Sequence, residues 1–229
     1  MSIYSPMETL LVSTKKINFR YFVPFFKGPV KVELSKLAES NIEKSHKNLQ
    51  SILRSGKSVY GVNTGFGNLS HIPISDEDQN QLQINLIRSH ASGIGVHLEP
   101  STVRVVLFLK LLTYAHGYSG VGLKLVNKIV EFINKDIMPV IPKKGSVGAS
   151  GDLAPLGHMA LALIGEGEVF YNGKKYKTKN LLKKYSISPL QLGPKEGLSL
   201  INGTQVSTAL AIKACLDGER YLTTADIAG

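Results

Sequence analysis

The sequence predicts a mainly α fold with one small β-hairpin, and three observations lead there. Apolar residues recur at helical spacing, as at Leu37, Ile42, Leu49 and Leu53. Residues that start or interrupt helices punctuate the chain, with Pro100, Asp152 and the Asn202-Gly203-Thr204 break the plainest. A single Asn172-Gly173 pair has the composition of a two-residue hairpin turn. With 229 residues and 43% hydrophobic content, the chain can bury one sizeable core or two small ones.

The elements follow in order. Residues 1–27 stand apart as an atypical N-terminal segment: Phe19, Phe22, Phe25 and Phe26 are half of the phenylalanines, without clear periodicity. A helix is expected from Ser35 to Arg54, with Leu37, Ile42, Leu49 and Leu53 on its buried side and Gly56 ending it. A Gly-rich loop occupies 61–69. Ser75-Asp76-Glu77-Asp78 resembles a capping box and opens a helix on which Leu82, Leu86 and His90 share a face. Pro100 begins an apolar helix to about Ala115, and another runs from Gly122 to about Lys135. Pro139 and Pro142 make the next stretch extended. Asp152 is a good N-cap for a helix from Leu153 to Ile164, with Pro155 in its first turn. Strands Glu168–Tyr171 and Lys174–Lys177 form the hairpin. Asn202-Gly203-Thr204 separates two helical stretches, the second still helical in pattern at Gly229.

Composition narrows the class of function. The net charge of +10 invites a nucleic-acid partner, but Lys174, Lys175, Lys177, Lys179, Lys183 and Lys184 cluster around a hairpin without interleaved aromatic or nucleic-acid motifs. A solvated, lysine-protected edge is the expectation, with no nucleic acid. The lone Cys215 excludes an intramolecular disulfide and fits a reducing compartment. No apolar run approaches membrane-spanning length and no signal-peptide pattern opens the chain, so a cytoplasmic location is expected.

The chemistry concentrates in Gly145-Ser146-Val147-Gly148-Ala149-Ser150-Gly151-Asp152. Glycines around one serine permit a bend tight enough for the Gly151 amide nitrogen to attack the Ala149 carbonyl carbon. Loss of water from that five-membered ring and from the Ser150 hydroxyl would leave an exocyclic methylene, an electrophile that no side chain supplies. A Gly/Ser loop before a helix is otherwise an ordinary turn or an anion site. Ala91-Ser92-Gly93 repeats the tripeptide without the flanking glycines and is expected to be ordinary loop.

The longer string from Ile141 through Leu156 resembles the signature of the aromatic amino acid ammonia-lyases. Tyr60-Gly61-Val62-Asn63-Thr64-Gly65-Phe66-Gly67 and Gly197-Leu198-Ser199-Leu200-Ile201-Asn202-Gly203-Thr204-Gln205 resemble two further family segments, in the family order. The resemblance covers residues from about 28 to the end. It implies the N-terminal part of the fumarase/aspartase-like helical fold, and a 4-methylideneimidazol-5-one (MIO) group formed from Ala149, Ser150 and Gly151. No metal and no external cofactor are implied. It further implies that the substrate amine adds to the methylene, that Tyr60 removes the β-proton, and that Asn202 hydrogen-bonds near cofactor and substrate. Ser89-His90 matches the segment that selects the substrate, where histidine-specific members carry Ser-His. The implied reaction is deamination of L-histidine to trans-urocanate and ammonia. Tyrosine or phenylalanine lyase or aminomutase chemistry, and a non-catalytic remnant or interaction subunit, are the alternatives.

Leu112 stands where the family usually has asparagine, and His116 where Lys or Arg is usual. Family members are about twice as long and form homotetramers whose long helices build shared sites. The resemblance therefore implies that 28–229 is the MIO-bearing part of a domain truncated at its C-terminal side, lacking a second tyrosine, an arginine and a glutamate of the site.

Overall fold

One helix, α4 (Pro100–Ala115), is the axis around which four other helices pack. Val103, Val105, Val106, Leu107, Phe108 and Leu111 are fully enclosed, as expected of a helix apolar on nearly every side. Pro100 occupies its first turn, where a missing N–H costs nothing. The structure, a computed structural model, describes residues 8–55, 59, 64 and 76–229.

Helix α1 (Val23–Lys27), α2 (Lys36–Arg54), α5 (Leu123–Asn134) and α9 (Gln205–Ala228) lie against α4. The Ser35 hydroxyl accepts the Ala38 amide at 3.2 Å and caps α2. Ala38, Ile42 and Leu49 form the buried stripe of α2, Leu53 is half-buried, and Leu37 is 59% exposed. The expectation for Leu37 was wrong for a geometric reason. At 3.6 residues per turn it points about 140° away from Ile42, whereas Ala38 lies on the stripe. Gly56 and Ser75 lie outside the described residues.

The N-terminal aromatic residues, unassigned from sequence, are core. Strand β1 (Thr9–Val12) pairs in parallel with β2 (Lys31–Leu34). The Phe22 and Phe25 rings lie 6.0 and 4.7 Å from that of Phe108 on α4. Such ring pairs contribute about 0.5–1.5 kcal/mol each beyond area burial. Buried Arg104 ties the same region together. It donates to the Phe25 carbonyl at 2.6 Å and to the Asp136 carboxylate at 2.7 Å.

Short strands beyond the expected hairpin position the remaining helices. Strand β3 (Ile94–His97) pairs antiparallel with β5 (Pro142–Lys144), and β4 (Met138–Pro139) pairs with β6 (Glu168–Tyr171). The hairpin of β6 and β7 (Lys174–Lys177) turns at Asn172 and Gly173, whose φ values of 47° and 72° suit the tight hairpin turn. Lys175 and Lys177 each reach the Glu168 carboxylate at 3.1 Å, which holds that carboxyl below the usual glutamate range. The lysines therefore lie on a solvated edge, as expected.

Helices α3 (Asp76–His90), α6 (Leu153–Leu163) and the short α8 (Glu196–Ile201) pack on one another; α7 (Thr178–Lys184) follows the hairpin. In α9, burial is confined to Gln205, Val206, Ala209 and Ile212 near its start. Farther along, Tyr221, Leu222 and Ile227 are exposed. Among the described residues, no helix is long and apolar enough to cross a membrane.

Candidate functional site

Pairing of β3 with β5 brings the end of α3 to the Gly145–Asp152 loop. Gly93 and Gly145 touch so closely that a Cβ on Gly145 would fall 2.8 Å from Gly93 Cα. The Gly93 amide donates to Nε2 of His158 on α6 at 3.0 Å, so the proton of neutral His158 resides on Nδ1. Burial, with His97 nearby, pushes the His158 pKa below its ordinary value. The result is a cleft of about 200 Å³ whose lining includes Ser89, His90, Ser92, Ala149, Ser150 and Gly151. Ala91-Ser92-Gly93 is loop, as expected, yet its serine lines the cleft.

Gly148 and Gly151 have φ of 75° and 96°, in the region that favours glycine. Gly151 pairs with Gly203 in an isolated parallel bridge. A Cβ there would lie 2.4 Å from the Gly203 carbonyl oxygen, so no other residue fits without displacement. The next amide, that of Asp152, donates to the same oxygen at 2.7 Å.

Asp152 stands at the N-cap position of α6, but its carboxylate makes no cap bond there. It accepts instead from the Ser207 amide at 2.7 Å and the Ser207 hydroxyl at 2.5 Å, with Ser146 Oγ at 3.3 Å. Ser207 is in the first turn of α9, so Asp152 caps a different helix from the one expected. The amides of Leu153 and Ala154 make no hydrogen bond to any described residue, and Pro155 has no N–H. Both residues line the cleft. They give it a positive helix terminus, suited to stabilising a developing negative charge.

His90 is held by its own helix. Its Nδ1 lies 2.8 Å from the Leu86 carbonyl oxygen, which can only accept, so Nδ1 carries the proton. Ser89 Oγ donates to the same carbonyl at 2.9 Å. Nε2 of His90 is then a lone-pair acceptor without a partner among the described residues.

Asn202 ends α8, and its backbone amide donates to the Leu198 carbonyl at 3.0 Å. Its side chain is exposed and unbonded among the described residues, while its carbonyl accepts from Lys110 Nζ at 3.0 Å. Lys110 is 1% exposed, and burial lowers its pKa to about 7; nothing in a helical lysine signalled this from sequence. Leu112 and His116 line a separate cleft of about 270 Å³ with Thr113, Thr204 and Gln205. Tyr60, with most of its glycine-rich loop, lies outside the described residues.

A model of the family described as aromatic amino acid lyase matches residues 18–229. The chain belongs to that family. It is 44% identical over 203 residues to a histidine ammonia-lyase of Desulfotalea psychrophila, covering 89% of this chain and 40% of that one. A histidine ammonia-lyase of Shouchella clausii is 48% identical over 195 residues, 85% of this chain and 39% of the relative. The solved phenylalanine aminomutase of Pantoea agglomerans superposes with a TM-score of 0.87 at 30% identity, covering 95% of this chain and 42% of that structure. The chain thus spans about two fifths of the length of the curated relatives it matches. Its mainly helical architecture is that of the lyase and aminomutase structures.

Proposed function

We propose that this chain carries the electrophile-bearing part of a histidine ammonia-lyase, which converts L-histidine to trans-urocanate and ammonia. The observation behind this reading is one cleft lined by both His90 and Ala149-Ser150-Gly151; the histidine ammonia-lyase relatives support it. The tripeptide fits an MIO ring. Gly151 lies where a side chain is excluded, and Ala149 and Ser150 are exposed at the cleft. Once formed, the ring supplies an electrophilic methylene for the substrate amine.

The chain's own groups divide the remaining work. The Leu153 and Ala154 amides oppose negative charge that builds beside them. His90 Nε2 accepts the imidazole N–H of the substrate, while a phenyl ring would leave it unpaired. Tyr60 takes the β-proton, which requires positive potential near its phenol because a free phenol ionises near pH 10. Asn202 offers its exposed amide to substrate. The exposed apolar residues late in α9 support a homotetramer, and the single cysteine supports the cytoplasm.

The test incubates purified protein with L-histidine and follows urocanate absorbance, with intact mass read in parallel. Expected of this chain is a mass short by two waters, lost in Ser150→Ala; turnover is expected once the remaining site residues are supplied by the rest of a full-length lyase, and is lost in the same variant. A phenolic O–H can also donate to His90 Nε2, so a tyrosine-acting lyase or aminomutase is the second reading. Preference for L-tyrosine over L-histidine would assign it.

A further inference from the structure

Lys110 is an amine enclosed in the middle of α4, and among the described residues no carboxylate pairs with it. Its neighbours are the Asn202 carbonyl at 3.0 Å, the Gln205 side-chain oxygen at 3.5 Å and the Tyr114 ring, 5.6 Å from Nζ to centroid. Burying a charge without a counter-charge is costly, and an apolar side chain of similar volume would avoid the cost. The position of Lys110 supplies a use for the buried donor. Its amine donates to the carbonyl of Asn202, the residue that caps the end of α8 and opens the turn. The next residue, Gly203, meets Gly151 and accepts the Asp152 amide at 2.7 Å. A second α4 residue braces the same turn: Thr113 accepts the Gln205 side-chain amide at 3.1 Å.

We infer that Lys110 is a positioning residue for ring closure at Ala149-Ser150-Gly151, acting through Asn202 and Gly203 to hold the Gly151 backbone in place. The inference rests on the MIO reading for its chemistry, but its mechanical part stands separately. With the amine in place, the Asn202-Gly203 turn has one position relative to the buried α4. The Gly203 carbonyl then offers a fixed edge to Gly151 and Asp152, limiting the bends open to the tripeptide. Without it, the Gln205–Thr113 bond is the one side-chain tie left between the turn and α4 among the described residues, and the edge loosens. Lys110 itself touches neither substrate nor ring.

The experiment compares wild type with Lys110→Met, which keeps most of the volume and removes the donor. Two readouts are taken: amide hydrogen exchange, residue by residue, and the time course of the two-water mass loss. The expected result is exchange at Asp152 faster by about tenfold or more, with the core amides of α4 and α6 unchanged, and ring closure slowed in proportion. Lys110→Arg, which retains cation and donors, is expected to recover both. Lys110→Gln, one atom shorter and unable to span the same distance, carries the same expectation as methionine and serves should that variant not fold. Unchanged Asp152 exchange would overturn the inference. So would a uniform rise across α4 and α6, which marks general loosening. If wild type shows no water loss, the MIO reading fails, while Asp152 exchange still decides whether Lys110 holds the turn.

Discussion

Replacing Asp152 by alanine tests how the loop is locked to α9. The carboxylate is 2% exposed and accepts from the Ser207 amide at 2.7 Å and the Ser207 hydroxyl at 2.5 Å. Losing the bond to the amide is the loss of a helix cap, about 0.5–2 kcal/mol. A charged acceptor to the hydroxyl contributes about 1.5–3 kcal/mol. The Ser146 bond at 3.3 Å is long and exposed at one end, and adds little. Because Ser207 is solvent-accessible, water recovers part of both losses, and the net expectation is about 2–4 kcal/mol. Urea unfolding should show this as a midpoint lowered by about 1–2 M at unchanged slope. Asp152→Asn should lose about half as much, and Ser207→Ala about 1 kcal/mol. The double variant Asp152→Ala/Ser207→Ala should resemble Asp152→Ala alone. A midpoint shift below about 0.25 M for Asp152→Ala, or full additivity of the two changes, would refute the cross-helix cap.

Other consequences are open to measurement. Gly151→Ala would place Cβ 2.4 Å from the Gly203 oxygen; the loop must shift, with a loss of about 1–3 kcal/mol in urea unfolding and no water loss in intact mass. Lys110 has its folded pKa lowered to about 7 from 10.5. The unfolded chain therefore holds the extra proton between those values, so stability should rise with pH across that window, by up to about 1.4 kcal/mol per unit. Lys110→Met should flatten that slope in unfolding series. His158 has its folded pKa lowered from 6.5; its contribution is present above that value and is lost as pH falls toward the folded pKa. Protonated Nε2 cannot accept from Gly93, so protection of the Gly93 amide, taken relative to its intrinsic exchange rate at each pH, should fall in acid, and His158→Phe should abolish that dependence. His90→Leu should lower kcat/KM for L-histidine by about 10- to 100-fold, the equivalent of about 1–3 kcal/mol.

Much of the scaffold was legible because its signals are local. Pro100 and an apolar run mark α4 to the residue, and Asn172-Gly173 marks the hairpin. What escaped depends on contacts between distant segments. Phe22 and Phe25 show no periodicity because a short helical segment presents them to Phe108, far along the chain. Asp152 has the right type and place to cap α6, yet Ser207 offers a better-aligned amide and hydroxyl, which only tertiary structure reveals. Strands β1 to β3 are only four residues long, and β4 and β5 are shorter still and contain proline, so none stands out. The candidate site was legible in its glycines and in His90. Lys110 was invisible, since a lysine on a helix is ordinarily solvated.

The contact between Gly151 and Gly203 also has a meaning in time. A ribosome delivers residues 149–151 well before residue 203, so the tripeptide emerges as a plain, flexible segment. Its tight conformation is completed only by a partner that arrives later and must itself be seated on α4. Any reaction that requires the completed conformation is thereby deferred until a substantial part of the core has assembled. On the proposed ring chemistry, a chain that misfolds would keep its Ser150 hydroxyl, and intact mass would report on successful folding.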